Sequence, residues 1–331
     1  MNGECTVWNF RDNPSYSHLP FIPLHGMSTM PTKEEIRDWL TSLQQDICEQ
    51  LEVTDGKAKF ISDPWERPGG GGGVSRVLTG GNIIEKGGVN FSAVWGKTPE
   101  PVLKTMAIEP GAEPDFFATG VSIVLHPYNP MVPIIHMNVR YFEMSNGTWW
   151  FGGGIDLTPH YVIKEDAQYF HAQLKSVCDR HDPAYYKDFK KWADDYFFIK
   201  HRQETRGVGG IFFDYLKGDP PFDKASRFEF VKSVGSAFAP IYTQLMKKNH
   251  GLPYAEKEKQ WQYLRRGRYV EFNLVWDRGT KFGLDTDGRT ESILMSLPPQ
   301  AQWEYNHVPA PDSPEAATQA LLIKGIDWIP S

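Results

Sequence analysis

The chain has 331 residues with 35 basic against 41 acidic side chains, a net charge of -6, which excludes a broad nucleic-acid surface and confines any anion site to a local basic cluster. Apolar residues at 40% and aromatics at 14% supply a sizeable core, and no apolar run reaches membrane-spanning length. Three widely spaced cysteines, Cys5, Cys48 and Cys178, form neither a CxxC pair nor a disulfide framework.

Residues 1–31 are rich in Pro, Ser and aromatics and read as an irregular arm. They carry neither a signal-peptide core nor an Arg-rich presequence, so a cytoplasmic location is expected. Thr32 and Glu35 make a capping box, and Ile36, Leu40, Leu43, Ile47 and Leu51 continue as one helical stripe. Residues 63–73 end in five glycines that match neither a dinucleotide fingerprint nor a P-loop. A loop is expected there, with Gly69–Gly73 a linker or part of a mobile cover. Val74–Thr79 and Val89–Trp95 read as strands, with Gly80-Gly81 and Gly87-Gly88 in turns; Gly120–His126 is another, with Ser122, Val124 and His126 on one face.

The stretch Ile134–Asp156 carries the most information. Asn146-Gly147 lies between two β-forming runs and predicts a hairpin. In its first arm His136, Asn138 and Arg140 share one face, opposite Ile135, Met137, Val139 and Tyr141. The apolar row suits a core; the polar row suits the floor of an anion site. A two-residue loop would place Arg140 opposite Gly153 and Asp156 on the apolar face, where a lone carboxylate is costly. A bulge within Gly152-Gly153-Gly154 is therefore expected, returning Asp156 to the polar side.

Helices follow over Glu165–Cys178 and from Asp182-Pro183 to about His201. Residues 206–214 read as a short strand. A helix from about Lys224 contains Pro240 and should kink there. Glu256–Arg266 is helical. Residues 265–280 alternate as a strand, with Tyr269, Glu271, Asn273 and Asp277 on one face. Arg289–Leu297 reads as a returning strand, and Ser313-Pro314 opens a last helix. Hairpin-linked strands with helices in blocks favour an α+β fold: one domain over 32–331, a large antiparallel sheet flanked by α-helices on both faces.

Arg140, Arg278 and Arg289, with Asp156 and Asp277, form a charge set suited to a ligand with several acid groups. His136 is the natural proton donor or acceptor. Taken singly, each arginine fits a surface ion pair and Asp277 a turn-initiating residue, readings that fit the set less well than its members. His126, His136, His171 and His201 could converge on a metal, but their spacing matches no metal motif. Nucleophile, flavin and nicotinamide fingerprints are absent.

Several runs together resemble the oxygen-dependent coproporphyrinogen III oxidases. They are residues 70–78, 88–92, 120–126, 149–159, 190–198, 206–214 and 265–299. The resemblance spans the chain from about Pro31 onward. It implies O2-dependent oxidative decarboxylation of two propionates of coproporphyrinogen III, giving protoporphyrinogen IX, without flavin, nicotinamide or haem. By motif it implies substrate-binding roles for Ser122, Asn138, Val139, Arg140, Asp287, Gly288 and Arg289. It implies proton donation by His136 and active-site charges at Asp156, Asp277 and Arg278. It implies a homodimer paired through about Tyr269–Trp303. It matches His126, His136, His171 and His201 to a divalent-ion site of bacterial relatives, which leaves a metal open. A tetrapyrrole carrier without turnover and a His-liganded metal oxygenase are the competing readings.

Overall fold

The structure, a computed structural model, describes residues 30–98, 103, 114–285 and 288–329. The expected arm over 1–31 lies outside them except for its last two residues. Seven strands form one antiparallel sheet in the order β1 (Ile61–Glu66), β2 (Gly71–Thr79), β3 (Ile84–Lys97), β4 (Asp115–Pro127), β5 (Ile134–Met144), β6 (Trp149–Thr158) and, after the short pair β7 (Phe198–Ile199) and β8 (Glu204–Thr205), β9 (Gly209–Leu216). The helices are α1 (Lys33–Asp55), α2 (Lys164–Asp179), α3 (Tyr185–Tyr196), α4 (Lys224–Asn249), α5 (Glu256–Glu271), α6 (Arg278–Asp285), α7 (Thr290–Leu294) and α8 (Pro314–Ala320). A π-helical turn, Phe272–Trp276, extends α5. From Pro31 on, the described residues form one compact α+β unit.

The expected capping box holds at the start of α1, where Glu35 N–H donates to the Thr32 hydroxyl and Thr32 N–H to the Glu35 carboxylate. At the other end Gly56 closes the helix with φ +73°. Asp55 then clasps the β2–β3 turn: its carboxylate accepts backbone N–H groups of Asn82, Ile83 and Ile84 at 2.8–2.9 Å. The face of the sheet bearing Ile135, Met137, Val139 and Tyr141 packs against α1 and α4, all four side chains at most 1% exposed. Each such aliphatic side chain contributes about 1.5–3 kcal/mol of transfer free energy.

The opposite face is wet and ordered in rows. One row runs Asp63, Ser75, Asn90, Ser122, Asn138, Gly154 and Phe212 across all seven strands. Its neighbour on one side carries Gly88, Val124, His136, Asp156 and Gly210. On the other side lie Gly73, Ser92, Gly120, Arg140 and Gly152. Helix α7 lies over one end: Asn90 donates to the Ser292 carbonyl, and Ser75 meets the Ser292 hydroxyl at 2.8 Å. Helix α5 lies over the middle strands, where Tyr269 packs on Val124 of β4 and Ile134 of β5. Helices thus flank both faces.

Several expectations are corrected. The β5–β6 ladder runs regularly through Gly152, Gly153 and Gly154, pairing Arg140 with Gly152 and His136 with Asp156. The extra residue sits in the turn instead: Met144 N–H donates to Thr148 C=O, enclosing three residues with Gly147 at φ +87°. Asp156 reaches the polar face by that route. The bulge lies on the far side of β6, where Tyr215 (φ +49°) is the unpaired residue of β9.

Only Gly69 and Gly70 of the five-glycine segment lie in a loop, the β1–β2 turn; the rest is strand. Gly72 and Gly73 are laddered to both β1 and β3, and Gly71 to β3. Gly87 and Gly88 belong to β3, and a Cβ on Gly88 would lie 2.0 Å from the Met295 sulfur that packs there.

Residues 265–276 are helical, not a strand, and Asp277, in extended conformation, separates them from α6. Trp261, Leu264, Arg265, Tyr269 and Phe272 are buried at helical spacing, while Leu274 and Val275 face solvent at 44% and 43% exposure. Those outward apolar residues imitated a strand alternation. Residues 290–294 form α7 rather than a strand; Ser292 meets Ser75 and Asn90, and Met295, just past the helix, packs over Gly88. The helix after Asp182 ends at Tyr196, short of His201.

Candidate active site

His136 and Asp156 stand opposite each other on β5 and β6, with Nδ1 2.9 Å from Oδ1. Asp156 is buried. Arg206, in the turn before β9, places Nη2 at 2.7 and 2.8 Å from its two oxygens and donates from Nη1 to Asn273 Oδ1 at 2.9 Å. The guanidinium lies among the rings of Phe197, Phe272 and Tyr269, 4.4–5.0 Å from their centroids. Burial pushes the Asp156 carboxyl up, but the Arg206 charge and the hydrogen bonds from His136 and Arg206 outweigh it and hold the group below the usual carboxylate range. An ionised carboxylate only accepts, so Nδ1 of His136 carries the proton and Nε2 faces the wet side. Phe197 meets the His136 ring edge-on at 6.2 Å. His136 is thereby oriented by a pair of groups buried from solvent.

One row over, Arg140 donates from Nη1 to Asn138 Oδ1 at 2.8 Å and pairs through Nη2 with Asp214 at 2.8 Å. Ser122 adjoins Asn138 in the same transverse row. Asp277 caps α6, accepting from the Thr280 N–H and hydroxyl at 2.7 and 2.8 Å, while Tyr196 donates its hydroxyl to the other oxygen at 2.9 Å. Arg278 lies 5.0 Å over the Tyr196 ring, which stacks on Phe212 at 4.1 Å. These aromatic contacts tie Asp277 and Arg278 to the His136 end of the floor. An aromatic ladder borders the Arg140 side: Phe116, Phe142, Trp150 and Tyr215, each in contact with the next.

The model of the coproporphyrinogen III oxidase family matches residues 35–328. The chain is 48% identical to the oxygen-dependent coproporphyrinogen-III oxidase of Prochlorococcus marinus (strain MIT 9313), covering 90% of this chain and 91% of that one. It is 51% identical to the enzyme of the same name from Drosophila melanogaster, covering 88% and 76%. The chain belongs to the coproporphyrinogen III oxidase family.

In this family member the other expected site residues are placed as follows. Val139 points into the core on the opposite face, leaving only its backbone near the floor. Asp287 lies outside the described residues. Gly288 and Arg289 precede α7, and Arg289 donates to Asp63 at 2.6 Å, at the β1 end of the row that contains Asn138. Four strand spacings, roughly 19 Å, separate the strands of Asp63 and Arg140.

The four histidines do not come together. His171 is held by the Tyr186 hydroxyl and the Val208 carbonyl, and burial pushes it down to about 4. His201 is held by Glu271 and the Trp276 indole. His126 is bound to the Ser296 carbonyl, and burial with the Arg266 charge pushes it down to about 3. Among the described residues no group of three or more His, Cys, Asp or Glu is arranged to hold a metal ion.

Arg206, Asp214 and Tyr196 were given no site role from the sequence, and Asn273 only a place on the same face as Asp277. Only the closeness of Arg206 to the Gly209-Gly210 step facing Asp156 carried a signal, and that step becomes visible once β9 is paired with β6.

Proposed function

We infer that the protein is an oxygen-dependent coproporphyrinogen III oxidase of haem biosynthesis. It converts two propionate side chains of coproporphyrinogen III to vinyl groups, giving protoporphyrinogen IX and carbon dioxide with O2 as oxidant. The observation that carries this reading is near-half identity over nine-tenths of the chain to enzymes so named, in a fold whose wet face holds His136 over a buried Asp156–Arg206 pair.

Each propionate must lose carbon dioxide and a hydride equivalent. The electron-rich macrocycle meets O2 itself, so the protein's task is to bind, orient and manage protons. After O2 adds to a pyrrole, the peroxide accepts the proton of the propionate carbon beside the ring. The C–C bond pair becomes the vinyl double bond as carbon dioxide leaves, the C–H pair returns to the ring, and the departing hydroperoxide takes a second proton, delivered from water by way of His136, to leave as hydrogen peroxide. His136 Nε2 is the proton-handling atom offered to the substrate. Asp156 and Arg206 fix its tautomer and ring plane from behind. Asn138, Arg140, Ser122, Gly288 and Arg289 line the floor for the carboxylates, and Asp277 with Arg278 supplies charge at the rim.

The exposed Leu274, Val275 and Trp303 support pairing of two copies through about Tyr269–Trp303. No helix among the described residues is long and apolar enough to cross a membrane; the cytoplasm is the compartment we assign. The reaction uses O2 as co-substrate and requires no organic cofactor.

Purified protein incubated with coproporphyrinogen III should yield protoporphyrinogen IX in air and none under argon. Tight binding without oxygen uptake would instead make it a carrier. Loss of a bound transition metal together with activity on chelation would make it a metal oxygenase.

A further inference from the structure

We propose that Asp214 is a placeholder carboxylate, which occupies the fork of Arg140 until a carboxylate of the substrate displaces it. The proposal deepens the oxidase reading and rests on it. Arg140 is on β5 and Asp214 on β9, two strands apart, yet they pair at 2.8 Å. The strand between them permits this by having no side chain at the crossing point. A Cβ on Gly152 would lie 2.7 Å from Arg140 Cζ, from its Nη2 and from Asp214 Oδ1, so the ion pair spans the Gly152 backbone.

The unpaired Tyr215, at φ +49°, locks Asp214 in place by donating its backbone N–H to Asp214 Oδ1 at 2.9 Å. Asn138 takes Nη1. Both terminal nitrogens of the fork are thus engaged by the protein, while the Arg140 side chain remains 35% exposed. A substrate carboxylate seeking the two-pronged geometry of an arginine must compete with Asp214. An isolated anion gains little by that exchange. A tetracarboxylate held at other points can make it, which gives Asp214 a part in selecting against small acids.

The test is a double-mutant cycle over Asp214→Asn and Arg140→Ala. Binding is read by fluorescence quenching with coproporphyrin III, the oxidised tetracarboxylate that cannot turn over, and kinetics with coproporphyrinogen III. Asp214→Asn should tighten coproporphyrin III about fivefold and lower KM with little change in kcat. Asp214→Glu should restore wild-type values. In the Arg140→Ala background Asp214→Asn should have no effect on binding. A persistent effect there would reduce Asp214 to a general repulsive charge, and an unchanged or weakened affinity in Asp214→Asn alone would also overturn the proposal. Wild-type protein assayed in parallel separates these failures from failure of the oxidase reading, which would show as no product with any variant.

Discussion

Arg206 Nη2 lies 2.7 Å from Asp156 Oδ1, and neither side chain is more than 2% exposed. Two opposite charges are buried together beneath His136. Such a pair is a poor source of net stability but is costly to halve. Arg206→Met should therefore destabilise the protein by about 3–5 kcal/mol at pH 7. Thermal or urea unfolding measures this; a loss under about 1 kcal/mol would mean that the pair is hydrated and not buried as described.

Asp156→Asn keeps the shape but lets the amide donate as well as accept, so the His136 tautomer is no longer enforced. Turnover of coproporphyrinogen III should fall about 10²–10⁴-fold, with KM changed much less. His136→Gln should fall into the same range. Full activity in Asp156→Asn would remove the orienting role.

Gly152→Ala tests the gap that the Arg140–Asp214 pair occupies. Its backbone needs no left-handed conformation, so the added methyl acts through space alone. The pair must part, and the overpacking should cost about 1–3 kcal/mol. Arg140 should then bind coproporphyrin III less well through loss of its aim. Wild-type affinity and stability in this variant would contradict the crossing geometry.

Asp55 gives a pH signature unconnected with catalysis. Burial pushes its carboxyl up, but backbone N–H groups of Ile84, Asn82, Ile83 and Ala58 outweigh this and hold it below the usual range. A carboxylate whose folded pKa lies under its unfolded value stabilises the fold above about 3.9 and ceases to do so as pH falls through the folded pKa. The stability gap between wild type and Asp55→Asn should be constant from pH 7 to about 5 and close below about 4. Unfolding free energies along that pH series check it, and a gap widening in acid would reverse the assignment.

The features legible in the sequence were those set by local chemistry. The Thr32–Glu35 box and the period-two alternation of residues 134–141 depend on neighbours a few positions away, and both appear in the structure. The wet face bearing Ser122, His136, Asn138 and Arg140 followed from that alternation. What stayed hidden depends on distant chain. Gly71–Gly73 look like a linker until β1 and β3 are laid against them. Leu274 and Val275 look like core until their exposure is known. Arg206 lies 50 positions from Asp156, and its role needs the β6–β9 pairing that brings the two together. The expected bulge had a sound reason, keeping a carboxylate out of the apolar layer, but the chain met it with a three-residue turn.

The π turn at Phe272–Trp276 holds more residues per revolution than the α-helix it extends. Asn273, near its start, reaches back to Arg206, while Asp277, just past its end, meets Tyr196. Deleting one outward residue, Leu274 or Val275, would let the segment rewind to ordinary pitch and swing everything downstream by about 100°. The first contact would survive and the second would be aimed elsewhere. One apparently superfluous position in a helix is thus the phase setting between the deep and shallow halves of the site.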